Sequence, residues 1–323
     1  MTLRIPSIVA ALALFPACDV TSTVGYNDSA LLEERCSPES TLARCSSDAC
    51  AVAELGPALV GSGAIAVDDE HVFFQRTLTT LTKIPVLGGQ SVDLVSDVDR
   101  LVNVALDADF VYWIETEHAV HRVPKAGGPV ELLVDPPGHP TSLALDGTSV
   151  YVTLTTENQL LVVPKRGGEP SFFPDQAAPV SIATDATHVY WLNQGLSENS
   201  GQLMRAALGN LNDVETLLSN LDAPIALALA RDAIFFAAGT RAFKLDKAGG
   251  TALEILDGFD EPKALAAFED TLYVAGGWGL ARVNPSATTR LLVPPRSTLG
   301  VALGCQGVFA TGWFIPVLLK YGR

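Results

Sequence analysis

Small and branched apolar residues alternate, a short polar turn follows, and a run of aromatic and β-branched residues comes next; this pattern recurs seven times from about residue 62 onward. The first runs are Ser62–Asp68, Leu101–Asp107, Pro140–Asp146, Pro179–Asp185, Pro224–Ala230, Pro262–Phe268 and Thr298–Gly304, and their last residues are spaced 39, 39, 39, 45, 38 and 36 apart. A period of that length belongs to arrays and propellers. Two residues before each run's end stands alanine in every copy, and four before it a small or short side chain: Ala64, Asn103, Ser142, Ser181, Ala226, Ala264 or Gly300. A period of two predicts a strand. Small residues on one face predict close approach there, as in the innermost strands of a ring.

The second runs are strong strand formers, for example Val111-Tyr112-Trp113 and Val189-Tyr190-Trp191. Asp at the first four turn positions fits its habit of binding nearby backbone N–H groups. A third strand then ends in a paired-glycine hairpin, as in Val123-Pro124-Lys125-Ala126-Gly127-Gly128 and Leu245-Asp246-Lys247-Ala248-Gly249-Gly250. Paired glycine supplies the positive φ values of a short hairpin. The proline before it requires a strand end, a bulge or an unpaired N–H. A fourth strand follows, as at Val130-Glu131-Leu132-Leu133.

Four hairpin-linked strands make one blade, so the fold class expected is all-β: a seven-bladed β-propeller of four-stranded antiparallel blades. The last copy supplies only three strands, ending at Val317-Leu318-Leu319-Lys320-Tyr321. Its fourth is expected from Ala51-Val52-Ala53-Glu54-Leu55, an N-terminal strand pairing with the last blade and protecting the ring's ends from edge association. A six-bladed ring, with one copy doing something else, is the alternative.

The domain organisation expected is a signal peptide over 1–17, a polar tether with cysteines over 18–49, and the propeller over 50–323. Arg4, the apolar run Ile8 to Phe15 and the small residues before a cysteine read as an export signal. Leu14-Phe15-Pro16-Ala17-Cys18 resembles a bacterial lipoprotein signal, which implies lipid attachment at Cys18 and a membrane contact through that anchor only. A cleaved, secreted protein is the alternative. The apolar run is too short for a retained transmembrane helix. Five cysteines less a lipidated one leave four, an even number that in an oxidising compartment suggests two disulfides. Strand direction places Cys50 and Cys305 on one face of the disc, so Cys50 is expected to pair with Cys305 and Cys36 with Cys45. Zinc is the rival, but the paired C-x-x-C knuckles it favours are absent.

The formal charge of −15 carries no nucleic-acid footprint. It favours solubility and cationic partners.

Asp107-Ala108-Asp109-Phe110-Val111-Tyr112-Trp113 and Asp185-Ala186-Thr187-His188-Val189-Tyr190-Trp191, each followed by a third strand and a glycine turn, resemble YWTD and NHL-type propeller repeats. The resemblance covers about residues 50 to 323 and implies blades, not chemistry. YWTD rings usually have six blades, and the full Tyr-Trp-Thr-Asp string is absent. NHL-like rings include a streptogramin-inactivating lyase, so a lyase or hydrolase remains the alternative to a lipid-anchored extracytoplasmic binding or scaffold protein.

Function then falls to whichever face of the disc is elaborated. At the rim, seven residues before each run's end, stand Arg100, His139 and Glu261, the candidates for charge or acid-base work. Their plain reading is rim polarity. The enlarged fourth-copy loop holds Asn193 and Asn199, and Trp278 and Trp313 sit in matching loops, where aromatic side chains suit partner contact. Trp113 and Trp191 read as core. His71, His118, His121 and His188 come without a ligand set, and the phosphate-loop, H-E-x-x-H and nucleophile-elbow motifs are absent. No cofactor or metal is expected, the partner is a protein or small ligand of unspecified identity, and the protein is expected to be a monomer.

Overall fold

The computed structural model describes residues 52–57, 63–116, 119–277, 279–284, 290–291, 298–304, 307–312 and 317–321. The signal, the tether, all five cysteines, His118, Trp278 and Trp313 lie outside the described residues. No helix among the described residues is long and apolar enough to cross a membrane.

The chain is an all-β propeller of four-stranded antiparallel blades. β1 is Val52–Pro57. The first blade then holds β2 (Ile65–Val67), β3 (His71–Thr77), β4 (Thr80–Pro85) and β5 (Val92–Ser96). The second holds β6 (Leu101–Leu106), β7 (Phe110–Glu115), β8 (Val120–Pro124) and β9 (Glu131–Val134). The third holds β10 (Pro140–Leu145), β11 (Ser149–Leu154), β12 (Gln159–Pro164) and β13 (Ser171–Phe173). The fourth holds β14 (Pro179–Thr184), β15 (His188–Asn193), β16 (Gly201–Ala207) and β17 (Asn210–Leu221). The fifth holds β18 (Pro224–Leu229), β19 (Ala233–Ala238), β20 (Arg241–Asp246) and β21 (Leu253–Leu256). The sixth holds β22 (Pro262–Phe268), β23 (Thr271–Gly276), β24 (Gly279–Val283) and β25 (Arg290–Leu291).

One further sheet is ordered β1, β28 (Val317–Tyr321), β27 (Gly307–Gly312), β26 (Thr298–Gly304), with Val52 opposite Tyr321 and Pro57 opposite Val317. The described strands thus form seven four-stranded sheets. Each innermost strand contacts the next, β2 through β26, and β26 contacts β2.

The sequence pattern explains the packing. Second strands are sandwiched between blades, so Tyr112, Trp113, Tyr190, Trp191, Phe235 and Phe236 are all fully buried. Trp113 joins a cluster with Phe73 and Leu81 of the first blade, whereas Tyr112, on the opposite side of the same strand, joins one with Leu143 and Val150 of the third. Alternation along one strand therefore glues both neighbours. Innermost strands need small residues for a concrete reason: a Cβ added at Gly300 would run into the Gly63 carbonyl, just ahead of β2, and crowd Ile65 within it. At the third-strand ends, Pro85, Pro124 and Pro164 each occupy the last ladder position, where a missing N–H is harmless. Gly88, Gly127, Gly167 and Gly249 then adopt φ of 84, 91, 79 and 91°, and their N–H groups close the turn onto Pro85, Pro124, Pro164 and Asp246.

Candidate functional site

The disc has two unlike faces. On the hairpin face, the turn aspartates do more than cap their own turns. Asp107 Oδ1 accepts the N–H groups of Asp109 and Phe110 at 3.0 and 2.8 Å, while Oδ2 accepts the Tyr112 hydroxyl at 2.7 Å and the Lys165 ammonium, from the third blade's hairpin, at 3.0 Å. The same arrangement joins Asp68 to Lys125 at 2.9 Å and Asp185 to Lys247 at 2.8 Å. Each of these lysines is held twice. Its backbone carbonyl accepts a third-strand cation from the preceding blade: Lys83 to Lys125 at 2.7 Å, Arg122 to Lys165, and Arg205 to Lys247 at 2.6 Å.

Burial alone would raise the carboxylate pKa values. The lysine charge and the converging donors outweigh it, holding Asp68 and Asp107 below the usual range and Asp185 down to about 2. Burial and the adjoining carboxylates push the Tyr112 and Tyr190 hydroxyls up, so they stay protonated donors. These clamps join blades one to two, two to three and four to five.

The third seam differs: Leu208 stands where the lysine would, the Gly209 backbone hydrogen-bonds the Tyr151 hydroxyl, and among the described residues Asp146 has no cationic partner. At the fifth seam Ala230 replaces the aspartate, Lys244 turns to Asp270 at 2.5 Å, and a cavity of about 260 Å³ remains beside Ala230 and Asp232. The turn role of the aspartates is local and visible in the sequence, whereas the lysine half of each clamp, in the Lys-x-Gly-Gly hairpins, lies 57 to 62 residues away.

On the opposite face, around the axis, lie the loops and the mouth of the channel. Arg100 is exposed and its guanidinium has no partner among the described residues; its carbonyl accepts Thr116 N–H at 3.0 Å. His139 is exposed beside Gly138. Glu261 pairs with Lys263 at 3.1 Å. Arg100 and Glu261 are not hydrogen-bonded to each other or to His139, so the three do not form an acid-base set. Ala178, Ala223 and Glu261, all at this rim position, share φ values of 56, 44 and 45°, a repeated left-handed corner from which the chain enters the inner strand.

Two asparagines of the fourth blade separate. Asn199 is exposed at φ 54° in a loop held by Ser200 Oγ donating to Ser197 O at 2.7 Å. Asn193, expected on the loop surface, is instead buried: it is the last residue of β15, shares the face of Trp191, is only 2% exposed, and its Oδ1 lacks a hydrogen-bond partner among the described residues. Trp191 Nε1 donates to Gln176 at 2.9 Å, and Trp113 Nε1 to Glu115 at 2.7 Å, so both ring systems are core with one satisfied polar end. His121 stacks on Trp113, and burial holds its pKa below the ordinary histidine value against the pull of Glu115, 3.6 Å away.

Between the faces runs an axial channel of about 200 Å³, walled by the inner strands of all seven sheets. Asn103, Ser142 and Ser181 are its polar lining near the rim, and Lys263 its one charged residue.

No protein-family model matches the sequence, and no curated protein matches it. Solved structures do. A chain of a nidogen/laminin complex superposes with a TM-score of 0.57 at 17% identity, over 72% of this chain and 97% of that one. A chain of the mitotic checkpoint complex superposes with a TM-score of 0.68 at 11% identity, over 84% of this chain and 90% of that one. At such identities the likeness is one of fold, and the fold is that of a β-propeller.

Proposed function

We propose that this protein is a lipid-anchored, extracytoplasmic binding or scaffold protein whose rim face receives a protein or small ligand. The observation that carries the reading is the contrast between the faces. The hairpin face commits Lys125, Lys165 and Lys247 with Asp68, Asp107 and Asp185 to inter-blade clamps, while at the rim the Arg100 guanidinium has no partner among the described residues and the Asn199 loop is exposed. The propeller fold suits such a role, and the two neighbours named above come from protein complexes. In the full reading, the seven sheets close as a seven-bladed ring sealed by β1, which the register of Val52 against Tyr321 supports. The ring is tethered through Cys18. The closing pair of cysteines is Cys50 and Cys305.

The test is affinity capture from a membrane fraction using the full chain, its Arg100→Ala/His139→Ala variant, and Arg166→Ala on the opposite face. Loss of a reproducible partner in the rim variant, with retention in Arg166→Ala, supports the reading. Equal capture by all three overturns it. Cys18→Ser should release the protein from membranes, with loss of metabolic lipid label at that residue.

A further inference from the structure

We propose that Trp113, Glu115 and His121 form an acid-responsive latch beneath the rim: a proton taken up by the His121 imidazole draws the Glu115 carboxylate off the Trp113 indole and shifts the hairpin that grips Arg100. The latch goes beyond the reading above, and its use to regulate a rim partner rests on that reading.

The imidazole is left unfinished by the fold. His121 of β8 lies directly across the ladder from Trp113 of β7, and the two rings stack with centroids 5.3 Å apart. Its Nδ1 is sealed from solvent and has no hydrogen-bond partner among the described residues. Buried polar atoms are ordinarily satisfied. Glu115 Oε1 stands 3.6 Å from that nitrogen, too far for a hydrogen bond, and the same oxygen already accepts Trp113 Nε1–H at 2.7 Å. A proton changes the balance. An imidazolium N–H facing a carboxylate contracts to a charge-assisted bond of about 2.8 Å, and the indole face favours the same cation. The oxygen that serves Trp113 is the one His121 then claims.

Glu115 is placed to pass the motion on. It is the last residue of β7, its N–H binds Ala119 O at 3.2 Å across the hairpin, and the next residue, Thr116, gives both its N–H and its hydroxyl to the Arg100 carbonyl, each at 3.0 Å. One peptide unit and two hydrogen bonds separate the latch from the rim arginine.

Two carboxylates act on His121: Glu115 from β7 and Asp135 just beyond β9. The first blade meets the Trp113 cluster with apolar side chains, among them Leu81, Leu94 and Val95, while Asp97 and Asp99 in the connection to β6 are exposed. Arg122, next on β8, binds Glu131 instead. Glu117 and His118, at the hairpin tip, lie outside the described residues. Burial outweighs both carboxylates and holds the imidazole below the ordinary histidine value of 6.5, so the ring is neutral at about pH 7 and charges in acid. Its contribution to stability is complete above pH 6.5 and falls as pH drops through the lower folded value.

Two-dimensional NMR of the isotope-labelled full chain, titrated from about pH 7.5 to about 4.5, tests the latch. The His121 ring should titrate below pH 6.5, and the Trp113 indole N–H and the Arg100 and Thr116 amides should shift with the same midpoint. In His121→Gln those shifts should vanish. Glu115→Gln, which keeps an acceptor for the indole, should lower the His121 midpoint further and abolish the Arg100 and Thr116 steps, whereas His118→Gln should leave every step in place. A His121 ring that stays neutral until the fold is lost, an indole or Arg100 signal that moves with a different midpoint, or steps that survive His121→Gln overturn the latch. The first two outcomes are read on the unaltered chain, so a variant that fails to fold does not spare the proposal. Arg100-dependent partner capture should then change by about threefold between about pH 7.5 and about 5.5, and not in His121→Gln. Equal capture at both pH values overturns the regulatory use, while absence of Arg100-dependent capture at either overturns the rim reading and leaves the latch to the spectra.

Discussion

Lys247 Nζ lies 2.8 Å from Asp185 Oδ2 across the seam between the fourth and fifth blades, and both side chains are nearly inaccessible to water. Removing one member of such a pair strands the other. Lys247→Met should therefore destabilise the fold by about 2–4 kcal/mol, whereas Lys247→Met with Asp185→Asn should recover part of the loss. Urea denaturation of the two variants measures both.

The same clamps set the acid limit. Asp185 in the folded protein titrates near 2, below the ordinary aspartate value, so its stabilisation is complete above about pH 4 and is lost as pH falls through about 2. Asp68 and Asp107 shift in the same direction. Stability should be insensitive to these groups from pH 8 to 5 and fall steeply below about pH 4. In Lys247→Met the acid slope should be shallower, because that aspartate no longer has a lowered pKa to lose.

Two buried tyrosines make a controlled comparison. Tyr190 donates to Asp185 at 3.1 Å; Tyr273 occupies the same strand position in the sixth blade, where the turn residue is Phe268, and its buried hydroxyl has no hydrogen-bond partner among the described residues. Tyr190→Phe should cost about 1 kcal/mol, while Tyr273→Phe should be neutral or stabilising. Thermal melts of the pair decide it, and equal losses would contradict the structural assignment.

Gly300→Ala should be the most damaging single-methyl substitution in the inner strands. Its Cβ meets the Gly63 carbonyl, which is backbone and cannot swing aside. A loss of about 2–3 kcal/mol is expected, against well under 1 kcal/mol for Ala264→Ser at the corresponding position of the sixth blade.

Cys50 and Cys305 lie outside the described residues, yet their flanks are placed: β1 begins at Val52, β26 ends at Gly304, and both ends belong to one four-stranded sheet. If the protein is exported, as proposed, a Cys50–Cys305 bridge is the expected outcome. Peptide mapping without reduction tests it, and a Cys50 link to Cys36 or Cys45 would rule it out.

The blades were readable because two periodicities coincide in this chain: alternation within each strand, and a repeat near 39 residues that sets Ala66, Ala105 and Ala144 in register. Turn chemistry at Asp68, Asp107, Asp146 and Asp185 was readable for a local reason, since the carboxylate binds N–H groups two and three residues on. The lysine clamps were not, because their partners sit a repeat and a half away; only aligning the copies reveals that the Lys125, Lys165 and Lys247 hairpins each follow a blade that carries the aspartate. Nor was the burial of Asn193 visible. Its polarity and neighbouring glycine and serines signal a loop, while the tryptophan two residues earlier continues the strand and carries Asn193 inward.

The ladder between β1 and β28 joins segments some 260 residues apart, so the sheet they share cannot finish until the chain's far end has been delivered. Contacts of such sequence separation are slow to form. Until they do, β26 to β28 lack their fourth strand and present an open edge, which makes the interval between synthesis and completion of that sheet the period of greatest exposure to misassembly and to proteases.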